Sequence, residues 1–169
     1  MTFRQAYDLA LARINETVAE VELMAVDTVK NAINQAYMAV RSTVDRQLKT
    51  VSIAAASPIT LPQDCIEVIR VAHSADGLIA SNEYRRDGDQ LHFNSRFTGG
   101  TFNVTISFFP VPLTADTDPL LVKPGYIRAI VAFGAYALQL HRRKYAAAQL
   151  LASEFSSIIE VPENAKPKN

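Results

Sequence analysis

Thr101-Phe102-Asn103-Val104-Thr105-Ile106-Ser107-Phe108-Phe109 is the stretch that decides the fold class. Phe102, Val104, Ile106 and Phe108 fall on one face of an extended chain, and Thr101, Asn103, Thr105 and Ser107 on the other, because strand side chains alternate with period two. Upstream, Val51 and Ile53 begin a similar alternation, and Ile59–Leu61 reads as a short return strand after the Ser57-Pro58 turn. Cys65–Ala72 is β-branched on both faces, Ile66 and Val68 against Ile69 and Val71, which predicts a central strand. Glu83–Arg86 and Gln90–Phe93 flank Asp87-Gly88-Asp89, a hairpin signal. Pro58, Pro62, Pro110, Pro112 and Pro119 punctuate this zone. Residues 46–123 are therefore expected to form an antiparallel sheet or small barrel of five or six strands.

The flanks have a different period. Thr2 can cap a helix over Phe3–Ile14. Val26, Val29, Ile33, Tyr37, Val40 and Val44 recur at steps of three and four, so they form one helical stripe. After the sheet zone, Pro124 suits a first helical position. Ile127, Ile130, Val131, Gly134, Ala137, Leu138 and His141 form the next stripe, and Gly134 permits close helix approach. A last helix carries Ala148, Leu151, Ala152, Phe155, Ile158 and Ile159. The expected fold is α+β: a discontinuous four-helix module (1–45 and 124–160) with the β region (46–123) inserted, and a flexible tail over 161–169.

The 169 residues can bury a core without disulfides or metal. Seventeen basic residues balance seventeen acidic ones, which argues against autonomous binding to a phosphate backbone. Cys65 is the single cysteine, so an intramolecular disulfide and a Cys-rich zinc site are excluded. Charged residues interrupt the N-terminus, so no secretory signal is read there. The longest apolar stretch, Ala129–Leu140, is shorter than the roughly 20 residues of a membrane span.

Chemistry-bearing patterns are sparse. The chain has no P-loop, no dinucleotide-binding glycine run and no nucleophile elbow. His73, His92 and His141 are not spaced as ligands, and each reads as structural or exposed. Asp116 and Asp118 could hold a hard cation, but before Pro119 they read better as turn residues. No catalytic, cofactor or metal residue is assigned, and the chain is expected not to be an enzyme. The candidate residues are instead interfacial. Phe109, Val111 and Leu113 cluster at the strand exit, where they read either as core packed against the helices or as a subunit interface, since aromatic anchors dominate interface energetics. Arg85 and Arg86 form one basic cluster, and Arg142, Arg143 and Lys144 another.

Several strings together carry a family resemblance. Asn31-Ala32-Ile33-Asn34-Gln35-Ala36-Tyr37 is one. Ile59-Thr60-Leu61-Pro62-Gln63-Asp64 followed by Ile66-Glu67-Val68-Ile69-Arg70-Val71 is a second. Ile106-Ser107-Phe108-Phe109-Pro110, then Leu113-Thr114 and Asp116-Thr117-Asp118, is a third, and the closing helices follow. In this order, over roughly residues 25–160, the chain resembles the head–tail connector proteins of tailed bacteriophages, also called adaptor or head-completion proteins. The resemblance implies a homo-oligomeric ring, of twelve copies, seated below a portal protein in the virion neck. It implies a channel through which DNA passes without sequence-specific contacts, and a platform for tail or neck proteins. It also implies that the tail, with Val161, Pro162, Lys166 and Lys168, reaches the portal or a neighbouring copy, and it implies no cofactor. The alternative is a non-viral α+β protein-interaction module.

Overall fold

A computed structural model of the chain describes residues 1–16, 23–94, 96–97 and 99–159, with the side chains of 23 and 24 left out. The interface candidates Val161, Pro162, Lys166 and Lys168, and the whole expected tail, lie outside the described residues. The class is α+β, with two compact units: residues 1–45 with 111–169, and residues 46–110.

The first unit holds four described helices: α1 (Phe3–Ala12), α2 (Leu23–Thr43), α3 (Pro124–His141) and α4 (Tyr145–Ile159). A capping box starts α1: Thr2 Oγ1 accepts from the Gln5 N–H, and Gln5 Oε1 accepts from the Thr2 N–H. Phe3, Ala6, Tyr7, Ala10 and Leu11 are buried along its inner face. On α2 the stripe at Val26, Val29, Ile33, Tyr37 and Val40 is buried as its spacing requires. Pro124 opens α3 as expected. A Cβ built on Gly134 would lie 2.7 Å from Ile33 Cγ1 and 3.2 Å from Ala10 Cβ. The missing side chain is therefore what lets α1, α2 and α3 close on one point.

Helices α1 and α3 both end in Schellman turns, with the extra bond running from the residue after a left-handed position. Asn15 has φ 60°, and the Glu16 N–H donates to the Leu11 carbonyl. Arg143 has φ 58°, the Lys144 N–H donates to the Gln139 carbonyl, and the Arg143 N–H donates to Leu140.

The β region was expected to run to residue 123, but residues 111–123 belong to the helical unit. The reason lies in hydrogen bonds. The Phe3 N–H donates to Asp118 O (2.8 Å), the Arg4 N–H to Asp116 O (3.0 Å) and the Leu120 N–H to Met1 O (2.9 Å). The Asn34 side chain exchanges two bonds with the Leu113 backbone, 2.7 Å from its Nδ2 and 2.8 Å to its Oδ1. Leu113 and Leu120 are buried in the helical core.

Among the described residues the second unit contains two antiparallel sheets rather than a closed barrel, and seven strands rather than five or six. They are β1 (Leu48–Ala54), β2 (Ile59–Thr60), β3 (Cys65–His73), β4 (Gly77–Leu78), β5 (Tyr84–Asp87), β6 (Gln90–Phe93) and β7 (Thr101–Phe108). One sheet has the order β1-β7-β3-β4 and the other β2-β6-β5. Strand β2 is the short return strand expected at Ile59–Leu61, and β4 is two residues long, below the length at which alternation can be read. The stretch Thr101–Phe108 is the strand its pattern predicts, with Phe102, Val104 and Ile106 fully buried. Phe93 of one sheet stacks on Phe102 of the other, with centroids 4.0 Å apart and planes 9° from parallel. Strand β3 departs from strict alternation. Register shifts occur between Cys65 and Glu67 and between Val68 and Arg70, so Val68 opposes Ile106 while Val71 opposes Val104. A bulge adds one residue and turns the following side chains over. Val68 and Val71 thus share the inner face, and Ile69 is exposed. Among the described residues no helix is long and apolar enough to cross a membrane.

Two substitutions test this account. An alanine in a helix interior normally stabilises by about 1 kcal/mol over glycine, but at Gly134 the clash with Ile33 imposes overpacking worth about 1–3 kcal/mol. Gly134→Ala is therefore expected to lower the melting temperature of the chain, and an unchanged or higher value contradicts the close approach. Arg143→Gly removes a left-handed non-glycine residue and is expected to stabilise by about 0.5–1 kcal/mol in denaturant titration.

Candidate functional site

The expected interface residues are separated by the fold. Phe109 and Val111 are 56% and 76% exposed, but Leu113 is 6% exposed and belongs to the helical core. The Asn34 clamp turns Leu113 inward. Phe109 lies in the β unit, where its N–H donates to Asp64 O at 2.9 Å. Val111 opens the return to the helical unit.

The basic clusters divide as well. Arg85 is exposed and lies 3.6 Å from the Asp87 carboxylate. Arg86 beside it is a structural residue. Its Nη1 donates to Ile66 O (2.7 Å), its Nη2 to Cys65 O (3.2 Å) and its Nε to Gly88 O (2.9 Å). The guanidinium thus covers carbonyls at the start of β3 that β4, pairing only at Ala72 and His73, does not reach. A sheet edge with bare carbonyls invites pairing by other chains, and a bound guanidinium blocks it. In the second cluster, Arg142 pairs with Glu16, joining the Schellman ends of α1 and α3. Arg143 and Lys144 remain exposed.

The groups that could have carried chemistry hold the fold together. Asp116 Oδ2 accepts from Tyr7 Oη (3.0 Å) and Oδ1 from Lys30 Nζ (2.8 Å), and Lys30 lies 4.7 Å above the Tyr7 ring. The bonds from Lys30 and then Tyr7 hold the Asp116 carboxyl below the usual carboxylate range. Burial, and then the bond to Asp116, pushes the Tyr7 phenol up. Asp118 turns the other way and accepts from the backbone N–H groups of Thr114 (2.7 Å) and Ala115 (2.8 Å), so the two carboxylates do not converge. Among the described residues no group of three or more metal-ligating side chains forms. Burial raises the Cys65 thiol, which disfavours its nucleophilic form. Ser74, His73 and Asp76 are neighbours, but His73 Nε2 faces the Gly99 carbonyl and Ser74 Oγ accepts from the Thr101 N–H. No Ser–His bond of the nucleophile–base kind is formed.

What the surface does offer is apolar. An open groove of about 700 Å³ runs between α1 and α3, lined by Leu9, Ala12, Pro124, Ile127 and Val131 with Arg13 and Arg128. Glu154 of α4 accepts from both guanidinium groups, from Arg128 Nε at 2.6 Å and from Arg13 Nη2. Leu150 and Tyr145 of α4 are 75% and 64% exposed, and Ala148 alone among the helix's described residues is fully buried. The sequence pattern picked the inward residues of this helix and passed over Leu150.

Glu154 provides the test. Its carboxyl is held below the ordinary glutamate range, chiefly by the Arg13 bond and also by Arg128. A depressed carboxyl stabilises the fold above its unfolded pKa of about 4.3, and the contribution is lost as pH falls through the folded value. Glu154→Gln is expected to cost about 1–3 kcal/mol at neutral pH, with the melting-temperature gap to the parent closing toward pH 3. A gap that persists at that acidity would assign the loss to packing instead. Comparison with protein-family models and with curated proteins finds no match to this chain.

Proposed function

We propose that this chain is a structural head–tail adaptor of a tailed phage, assembling as a ring below the portal protein. In that role it lengthens the DNA channel and docks tail or neck proteins. The observation that carries this reading is the placement of large apolar side chains at the surface of both units. Phe109 stands on the β unit, and Val111, Tyr145 and Leu150 on the helical unit, each more than half exposed. Apolar anchors of this size contribute most when a partner removes them from water. A ring repeats one heterologous contact, so each copy needs two different adhesive surfaces, and two separately folded units suit that demand. Balanced charge suits a wall past which DNA slides without being held. The family resemblance supplies the viral setting and the count of twelve copies.

Co-expression with the portal protein of the same genome, followed by negative-stain microscopy of the purified complex, tests the proposal. A second ring stacked on the portal with matching symmetry is expected. A bare portal, with both proteins folded, overturns it in favour of a later tail position or a non-viral interaction module. Within the complex, Phe109→Ala is expected to leave the monomer's melting temperature nearly unchanged and to reduce ring formation. Leu113→Ala is expected to cost about 2–5 kcal/mol of folding stability, because it empties a core position.

A further inference from the structure

His73 ends β3 with its side chain 3% exposed, and both ring nitrogens face acceptors. Nδ1 lies 2.5 Å from Asp76 Oδ2, and Nε2 lies 2.8 Å from the Gly99 carbonyl oxygen. A neutral imidazole has one N–H and one lone pair, so it can satisfy only one of these partners; the imidazolium satisfies both. The ring therefore ties the turn after β3 to the connection between β6 and β7. It is packed against Phe102 and Phe97, with centroids at 5.1 and 5.7 Å.

We propose that His73 is a pH-operated latch: as the imidazolium it holds Gly99 against the β3–β4 turn, and on losing a proton it releases Gly99. Which bond breaks follows from charge. The Asp76 carboxylate keeps the remaining proton on Nδ1, because a charge-assisted bond outlasts a bond to a neutral carbonyl. Nε2 then turns a lone pair toward Gly99 O, and the contact becomes repulsive. The released segment is built to move. Gly99 and Gly100 have φ of 73° and 77°, a region open to glycine without strain. A Cβ on Gly100 would lie 2.4 Å from Ser74 Oγ and 3.3 Å from His73 Nε2, so the closed position depends on glycine. Two bonds adjoin the latch: the Ala55 N–H to Gly100 O (3.0 Å) and the Thr101 N–H to Ser74 Oγ (3.1 Å).

The groups facing the ring support a single titration. Asp76 comes from the turn, Phe102 from β7, Phe97 and Gly99 from the connection, and Gly77 of β4 is the register partner. Asp76 is the charged one among them. On Phe97 sits Arg96, which pairs with Glu83. The Gly99 carbonyl first, and then Asp76, raises the imidazole above the ordinary histidine value against the opposing effect of burial. With a raised folded pKa, the latch is whole below about pH 6.5 and is lost as pH rises through the folded value.

Imidazole nitrogen shifts and backbone amide exchange of the full chain, followed from about pH 5 to about pH 10, test the latch. His73 is expected to hold both protons at the acidic end of this range and to pass, with a midpoint above about pH 6.5, to the tautomer with the proton on Nδ1. Through that midpoint, exchange at Ala55 and Thr101 is expected to rise about tenfold beyond base catalysis, while the β5–β6 hairpin amides keep their protection. Asp76→Asn is expected to lower the midpoint and bring release to lower pH. His73→Gln, with one amide donor group in place of two ring donors, is expected to exchange fast at every pH. A midpoint at or below 6.5, or exchange at Ala55 and Thr101 indifferent to the titration, overturns the proposal.

Discussion

Gly134 is the point on which the helical unit depends. Three helices meet where its side chain is missing, with Ile33 and Ala10 pressed to within a methyl group's reach of α3. The neighbouring inward positions on α3 are Ala135, Ile130, Val131 and Leu138, all buried, so small and large residues alternate and the ridges interdigitate. Because α1 and α3 lie so close, their carboxyl ends can share one ion pair, Glu16 with Arg142. The same proximity lets Glu154 of α4 take Arg13 and Arg128 together. The polar links between helices are consequences of the apolar contact, which sets the distances at which they can form.

Residues 111–123 illustrate a second constraint, that buried backbone groups must find partners. This segment has no regular secondary structure beyond one isolated bridge, Thr2 with Pro119. It is held instead by the N-terminal residues and by Asn34, whose amide copies the donor and acceptor of a peptide unit. Lys123 meets Asp45 in the same manner, its N–H donating to Asp45 Oδ2 at 2.8 Å just before Pro124 begins α3. Asp45 also faces the Arg41 guanidinium at 3.7 Å, with both side chains nearly buried.

How much of this was legible depends on whether the signal was local. The alternation of Thr101–Phe108 was legible because the strand has no bulge where it pairs with β1, and Phe102, Val104 and Ile106 of one face are core, although Ser107 of the other face is buried and Phe108 only half-buried. The helices were legible from their stripes, and Pro124 from its place before one. The behaviour of β3 was not, since a bulge is a property of the pairing, and Val68 and Val71 only share a face once Ile106 and Val104 are opposite them. Leu113 stays open between core and interface in the sequence for a related reason. Its neighbours Phe109 and Val111 are exposed, and what turns it inward is a residue 79 positions earlier. Arg86 next to Arg85 looks like half of a charged patch until the carbonyls of Cys65 and Ile66 are placed beneath it. In each case the missing information is long-range.

That pattern bears on what the molecule presents to partners. One member of each basic cluster is occupied internally, Arg86 on backbone carbonyls and Arg142 on Glu16, and Lys30 and Asp116 hold each other. Charges held this way are poor material for recognition, because a partner would have to displace a bond already made. The apolar residues are in the opposite condition. Leu150, Val111, Leu78 and Phe109 are each more than half exposed, and water gains when they are covered. Exposed apolar groups of this size favour association through burial.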